Sequence, residues 1–490
     1  MTLSETHLGY RDLPDFFYSD VYASSELDYK VWFYNSELAQ DLNLPKDWES
    51  SAAGLKVLSG QQTLSGEKPL AMAYAAHQFG QWAGLLGDGR ASLVGDILDV
   101  SGIQKELHLK GSGQTPYSRR GDGKATLGSA LREFIVSESM NALGVPTTRA
   151  LSILTTGENI IRDGAEPAAI LCRSAKSHVR FGTFQLAAAS QDSAHLKALA
   201  DFTIDRLFPN APPSGPKRYL HLLSEAIQGQ VDLISKWMGY GFIHGVMNTD
   251  NALISGETID YGPCAFIDNF HPGKVFSSID RNGRYAWNRQ PEIANWNMVR
   301  LAESLLPLLG ESEESQGLNA EQELGQFTPK FVKSFNVVMA RKFGLTVEAI
   351  ENSEFLSDTF QVMTTARVDF TLFFRHLTQV AEGQTPETFI ALFESPSEGK
   401  SWLEKWEGAM EMSEISAEDR TAVMRAANPI YIARNHRVEE AIAAANNGDM
   451  DIFKKLYKAV IDPFTERDEF AEYEIPPRPD EIVSQTFCGT

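Results

Sequence analysis

The residues best suited to chemistry stand in two neighbouring strings, HGVMNTDN at 244–251 and TIDYG at 258–262. In kinase-type phosphoryl transfer, a loop with Asp two residues after its His, and Asn further on, leads to a short strand ending in Asp-x-Gly. The Asn and the second Asp bind the divalent metal of the nucleotide. Asn251 and Asp260 fit those oxygen-donor positions. The proton-accepting position holds Val246, and a carboxylate appears instead at Asp250, directly before Asn251. Valine can neither take a proton nor orient a hydroxyl. A magnesium-like ion needs few protein oxygens beside the nucleotide phosphates, so the pattern predicts metal–nucleotide binding and argues against ordinary phosphoryl transfer.

Phosphate also needs positive charge and close backbone, and both are concentrated upstream. GLLGDGRASLVGD at 84–96 is a glycine turn between strand-like segments, with Gly87, Gly89 and Arg90 at its centre. Glycines let a bound group approach the backbone, although a plain hairpin uses the same residues. Between positions 105 and 132 stand six basic residues (Lys105, Lys110, Arg119, Arg120, Lys124, Arg132) against two acidic ones (Glu106, Asp122), interleaved with Gly111, Gly113, Gly121 and Gly123. That excess suggests a triphosphate cradle; a solvated basic loop is the alternative. Lys110 closes an alternating strand, with Leu107 and Leu109 on one face and His108 and Lys110 on the other. Glu133 lies on the helix that follows, pinned by Leu131, Phe134 and Ile135. A strand lysine paired with a helix glutamate is how kinase-like proteins hold a nucleotide phosphate. Arg173 and Arg180, with Lys176 between them, add guanidinium groups able to grip phosphate bidentately.

The elements that must position these groups follow from composition and periodicity. The chain has 490 residues, 43% hydrophobic and 22% charged, with a net charge of −21. That composition excludes a disordered chain, and the length allows several domains' worth of buried core. The acidic balance argues against nucleic acid or an anionic membrane as the main partner, because both demand concentrated Lys and Arg. No apolar run approaches the roughly 20 residues that span a bilayer, and the acidic, aromatic first residues do not read as a leader. The expectation is a soluble, cytoplasmic protein whose oligomeric state the sequence leaves open, with a monomer favoured. Short alternating segments at 91–97, 106–110 and 168–173, with a helix over 127–143, predict a mixed region. Apolar spacing of three and four predicts a helix over 219–240, then strand-like stretches at 242–244, 251–254 and 258–260. Beyond 330 the pattern is helical, as at 331–343, 355–380 and 430–445. The expected fold is α+β: a segment 1–70 packed on the core, a small β-rich lobe at 71–195, a helical lobe at 196–330 carrying the chemical loop, and a mainly helical extension at 331–490.

At this point the strings YAAHQFG (74–80), LGDGR (86–90), LKGSGQTPYSRRGDGK (109–124), LREF (131–134), HGVMNTDN (244–251), IDYGP (259–263) and NPIYIARN (428–435) can be considered together. They resemble the selenoprotein O family, called YdiU in bacteria, from about residue 16 to the C-terminus. The resemblance implies a protein-kinase-like two-lobed fold, once regarded as a pseudokinase. It also implies that ATP binds flipped and that AMP passes to Ser, Thr or Tyr hydroxyls of proteins with release of diphosphate; some bacterial members use UTP with manganese. It assigns Lys110 and the loop at Asp122 and Gly123 to the γ-phosphate, with Glu133 positioning the lysine. Gly87, Gly89, Arg90, Arg173, Arg180 and Asp260 match nucleotide-binding positions, Asn251 and Asp260 match ligands of Mg²⁺ or Mn²⁺, and Asp250 matches the proton acceptor. A protein or small-molecule kinase and a non-catalytic nucleotide-binding scaffold remain the competing readings.

Three cysteines, Cys172, Cys264 and Cys488, are too few for a disulfide framework and suit a reducing compartment. The family often ends in selenocysteine or cysteine third from the C-terminus, and Cys488-Gly-Thr keeps that position with sulfur. The expectation this raises is a reversible disulfide with Cys264, near Asp260, against an alternative of two inert thiols.

Overall fold

The alternation at 91–98 and 104–110 produces two antiparallel strands at the middle of the main sheet. In chain order the strands are β1 (Tyr18–Asp20), β2 (Lys30–Tyr34), β3 (Leu70–Met72), β4 (Ala75–Gln78), β5 (Gln81–Leu85), β6 (Ala91–Leu98), β7 (Gln104–Lys110), β8 (Ala125–Thr126), β9 (Arg149–Ile161), β10 (Ala165–Ala175), β11 (Phe242–Ile243) and β12 (Ala265–Phe266). This computed structural model describes residues 7–22, 28–162, 164–351 and 354–487. The main sheet runs β1-β3-β6-β7-β10-β9-β2, antiparallel throughout, with β8 pairing β10.

Side-chain alternation then sorts the sheet's two faces. Leu107 and Leu109 are fully buried with Val94, Leu154 and Val57 on one side. His108 and Lys110 project to the other, where the helix Leu127–Ala142 packs its Leu131, Phe134 and Ile135 among Met72, Leu93 and Leu171. Thr126 caps this helix by accepting from Ser129 N–H at 3.1 Å. The first 70 residues do more than pack on the core, because β1 and β2 join opposite ends of the sheet. Strand β9 is not legible in the sequence. Its second half, TTGEN, is polar and interrupts the apolar run that begins it.

The helical part opens with Ser193–Leu207 and the 24-residue helix Pro216–Gly239, which starts at a proline in its first position and ends before Gly241 at φ 67°. The three strand-like stretches after it resolve differently. β11 pairs with β12, whereas 251–254 and 258–260 carry only isolated bridges, Ala252 to Thr258, Leu253 to Arg180 and Thr147 to Thr258. Thr249–Asn251 is instead a single 3-10 turn. These β-branched and apolar residues are buried by neighbouring loops rather than by a ladder.

Two further corrections concern the helical extension. The run 355–380 is two helices, Phe355–Thr365 and Phe370–Ala381, broken where Arg367 adopts φ 51° and Asp369 caps the second by accepting from Leu372 N–H at 2.8 Å. The run 430–445 becomes helical only at Asn435, in Asn435–Asn446. Just before it, buried Arg434 pairs with Asp268 and Asp369. Asn435–Asn446 lies against Leu127–Ala142, so the extension braces the helix that carries Glu133. Among the described residues no helix is long and apolar enough to cross a membrane.

Candidate active site

A cleft of about 860 Å³ opens between the sheet and the 246–263 segment, within the range of about 300–1,000 Å³ common for small-molecule sites. At its deep end three cations converge. Lys110, from the end of β7, pairs with Glu133 and reaches Asp260 Oδ1 at 3.3 Å. Arg173, on β10 opposite His108, donates to Glu133 Oε1 at 2.7 Å and to Asp260 Oδ1 at 2.9 Å. Arg180, at the start of the helix Phe181–Ala189, donates to Asp260 Oδ2 at 3.0 Å and to the Asp250 carbonyl, and lies 4.8 Å from the Tyr74 ring centre. All three are 5% exposed or less. Charges so buried persist only when paired.

The anions balance them. Burial would raise the Asp260 carboxyl, but Arg173, Lys110 and Arg180 together hold it well below the usual carboxylate range. Asp260 also adopts φ 64°, a left-handed conformation that a non-glycine residue reaches at a cost of about 1–2 kcal/mol; the triple ion pair offsets that strain. Asp88, in the glycine turn, accepts from Met72 N–H at 3.2 Å and from His108 Nε2 at 3.0 Å, and lies 3.6 Å from Arg180. Burial opposes its ionisation, yet His108 and Arg180 bring it down to about 2. His108 Nδ1 accepts from Arg173 Nε at 3.3 Å, which makes Nε2 the protonated nitrogen facing Asp88. Asp88 and His108 therefore orient the arginines, and neither stood out in the sequence except as part of a turn and a strand.

Asp250 adjoins this cluster, its carbonyl accepting from Arg180. Its Oδ2 accepts from Gln78 Nε2 at 2.9 Å, and its Oδ1 is buried with no protein partner. Burial raises this carboxyl, while Gln78 and Arg180 counter part of the effect. Asn251 spends its amide nitrogen on the Val246 carbonyl at 3.0 Å. Its other amide atom and the Asp260 carboxylate are hard oxygen donors on the cleft wall, a set that suits Mg²⁺ or Mn²⁺ completed by phosphate and water. Among the described residues no group of three or more His, Cys, Asp or Glu could hold a metal alone.

The other expected site residues divide into two groups. Gly87, Gly89, Arg90, Asp122 and Gly123 all line the cleft. The missing Cβ of Gly87, at φ 92°, makes room for the Tyr117 ring, which a Cβ would meet at 2.5 Å. Gly123 is similarly required by the Gly113 carbonyl, at 2.1 Å from a Cβ. Asp122 is exposed near the mouth and pairs bidentately with Arg162 at 3.0 Å. Of the six basic residues at 105–132, Lys110, Arg119, Arg120 and Lys124 line the cleft and Lys105 and Arg132 do not. Arg132 instead donates to the carbonyls of Gly262 and Cys264 and to Asn435 and Glu439. Lys176 is exposed and also outside the cleft.

Cys264 is fully buried, its thiol 3.3 Å from the Tyr261 carbonyl, and burial pushes it up to about 11. Cys488 lies outside the described residues. Two residues before it, Thr486 donates its hydroxyl to the Pro263 carbonyl at 2.7 Å and its N–H to the Phe276 carbonyl at 2.9 Å.

Buried cations with one shared carboxylate, a second carboxylate with a free oxygen, and two hard oxygen donors in one cleft are the equipment of a nucleotide-dependent transferase. Comparison with known proteins narrows this. Residues 4–461 match the family model described as protein adenylyltransferase SelO, and the chain belongs to that family. It is 47% identical over 484 residues, 98% of either chain, to the protein nucleotidyltransferase YdiU of Rhodopseudomonas palustris strain BisB5. It is 45% identical over 484 residues to the protein of the same name from Bradyrhizobium diazoefficiens, covering 98% of each, and 45% identical over 492 residues, 100% of each, to that from Rhizobium meliloti strain 1021.

Proposed function

We propose that this enzyme transfers AMP from ATP to Ser, Thr or Tyr hydroxyls of proteins, within a two-lobed, kinase-like core that binds the nucleotide flipped. The observation that carries the reading is the position of Lys110, Arg173 and Arg180 at the deep end of the cleft, with Asp250 as the carboxylate that keeps a free oxygen. With the nucleotide flipped, the α-phosphate, not the γ-phosphate, would lie toward Asp250, which adjoins Arg180. Asp260 now occupies the donors that phosphate oxygens would take. Asn251 and Asp260 would hold the divalent cation, which when bound offsets charge on the departing diphosphate. Gly87, Gly89, Arg90, Asp122 and Gly123 form the rest of the nucleotide wall.

In the reaction the substrate hydroxyl oxygen forms a bond to the α-phosphorus while the bond from that phosphorus to the bridging oxygen breaks. Diphosphate leaves, and the hydroxyl proton passes to Asp250 Oδ1. The cations stabilise the charge that develops. Val246 points no carboxylate at the site used by ordinary kinases, which disfavours γ-transfer. UTP is the alternative donor, with Mn²⁺ the alternative metal.

Labelled nucleotide decides among the readings. With Mg²⁺ and a protein acceptor, α-labelled ATP should mark protein and γ-labelled ATP should not. γ-Label on protein would make it a kinase, and no label from either would make it a scaffold. Asp250→Ala should lower transfer by about 10²–10⁴-fold; an unchanged rate would remove its role as base. The Cys264–Cys488 disulfide stays a proposal, supported by the docking of Thr486 beside Cys264 and opposed by the burial of that thiol. Non-reducing peptide mapping after mild oxidation tests it, and absence of the linked peptide sinks it.

A further inference from the structure

Asp250 sits on a single 3-10 turn, Thr249–Asn251, which is too short to fix a side chain by itself. The β4–β5 hairpin grips this turn through three consecutive residues. His77 N–H donates to Thr249 Oγ1 at 2.7 Å, Gln78 Nε2 to Asp250 Oδ2 at 2.9 Å, and Phe79 N–H to Asn248 Oδ1 at 2.9 Å. The outer two bonds use the backbone and are open to any residue with an N–H. Only the central one depends on a particular side chain. The loop is also anchored without it, because Tyr285 donates its hydroxyl to Asn248 Oδ1 at 2.6 Å and Thr249 donates to Gln185 Oε1 at 2.7 Å. Gln78 is thus dispensable for the path of the loop and specific for the carboxylate.

We propose that Gln78 is a positioning residue whose amide holds Asp250 through Oδ2 and so leaves Oδ1, buried and without a hydrogen-bond partner among the described residues, as the oxygen that takes the hydroxyl proton. The proposal rests on the reading of Asp250 as proton acceptor. A neutral amide suits the task. It donates one directed hydrogen bond, where a lysine or arginine would compete as an ion-pair partner and a carboxylate would repel. During transfer the hydroxyl oxygen bonds to the α-phosphorus, the bond to the diphosphate bridging oxygen breaks, and the proton goes to Oδ1. Oδ2 stays on Gln78 before and after the step.

A double-mutant cycle tests this, with Gln78→Leu, Asp250→Ala and the double variant assayed for AMP transfer from α-labelled ATP to casein. Gln78→Leu should lower kcat by about 10–100-fold, the scale of a misplaced catalytic group, with the KM for ATP within about twofold. In the Asp250→Ala background it should cost nothing further, because the two residues act as one unit. Gln78→Met takes its place if Gln78→Leu does not fold. A wild-type rate in Gln78→Leu, an equal loss in both backgrounds, or a raised KM with kcat unchanged would each overturn the proposal. Full activity of Asp250→Ala would instead overturn the base reading, and the role of Gln78 with it.

Discussion

Two lysines of this protein are buried to nearly the same degree and live in opposite surroundings. Lys110, 5% exposed, ends a strand among Glu133 and Asp260, with Arg173 sharing both carboxylates. Lys342, 2% exposed in the helix Phe327–Phe343, has the Ala427 carbonyl at 3.3 Å and aromatic rings, Phe374 at 4.2 Å and Tyr240 at 5.3 Å. Burial there pushes its ammonium from the ordinary 10.5 down to about 7. The contrast shows what the cleft's carboxylates do: they pair three buried cations where water is largely excluded, at donors an anionic ligand could take over. In the helical region the same residue type is a cost that packing tolerates.

The largest way to break the contrast is Asp260→Ala. It removes the anion common to Lys110, Arg173 and Arg180, together with a proposed metal ligand, and should abolish transfer, by about 10³-fold or more. Substantial residual label would mean that Asp260 is not needed for chemistry. Lys110→Met should follow, lowering transfer by about 10²–10³-fold; a small loss would leave the two arginines sufficient for the phosphate. Glu133→Gln keeps the shape and removes one charge. Transfer should fall by about 10–100-fold and the unfolding midpoint should drop, because a buried cation loses its partner. An unchanged midpoint would mean that Asp260 alone satisfies both cations.

Lys342→Met is the smallest effect and has the opposite sign. Between pH 7 and 10.5 the unfolded chain binds a proton at Lys342 that the folded chain does not, so stability from this group rises with pH across that window and is fully penalised below it. The variant should be about 1–3 kcal/mol more stable near pH 6–7, after the lost carbonyl bond and ring contacts are subtracted. That advantage should fade toward pH 10.5, with transfer unchanged. Denaturant titrations across this range would contradict the contrast if Lys342→Met were destabilised equally at every pH.

The groups at the deep end of the cleft were largely legible, because their types are constrained by short motifs. Lys110 closes an alternating strand, Glu133 sits on the next helix, and Asp260 precedes Tyr-Gly. Residue counts misled where partners were distant. Arg132 has the charge of a phosphate ligand, yet its donors go to Gly262, Cys264, Asn435 and Glu439. Gln78 and Asp88 gave no chemical signal of their own, since one glutamine in a hairpin and one aspartate in a glycine turn look like ordinary loop residues. The break at Arg367 was hidden in continuous helical periodicity, and the polar half of β9 hid a strand that pairing alone sustains.

What sequence determines here is local. Alternation set the faces of β6 and β7, spacing of three and four set the long helix Pro216–Gly239, and the loop strings put Asp250, Asn251 and Asp260 within one short stretch of chain. What only the tertiary structure decided is which charge meets which. Lys110 and Asp260 are 150 residues apart, and Gln78 and Asp250 are 172 apart. Nothing in the local chemistry of such residues sets their partner. Their pairing is imposed by the packing of sheet, helix and loop, because a buried charge left without a partner would cost more than the fold can supply.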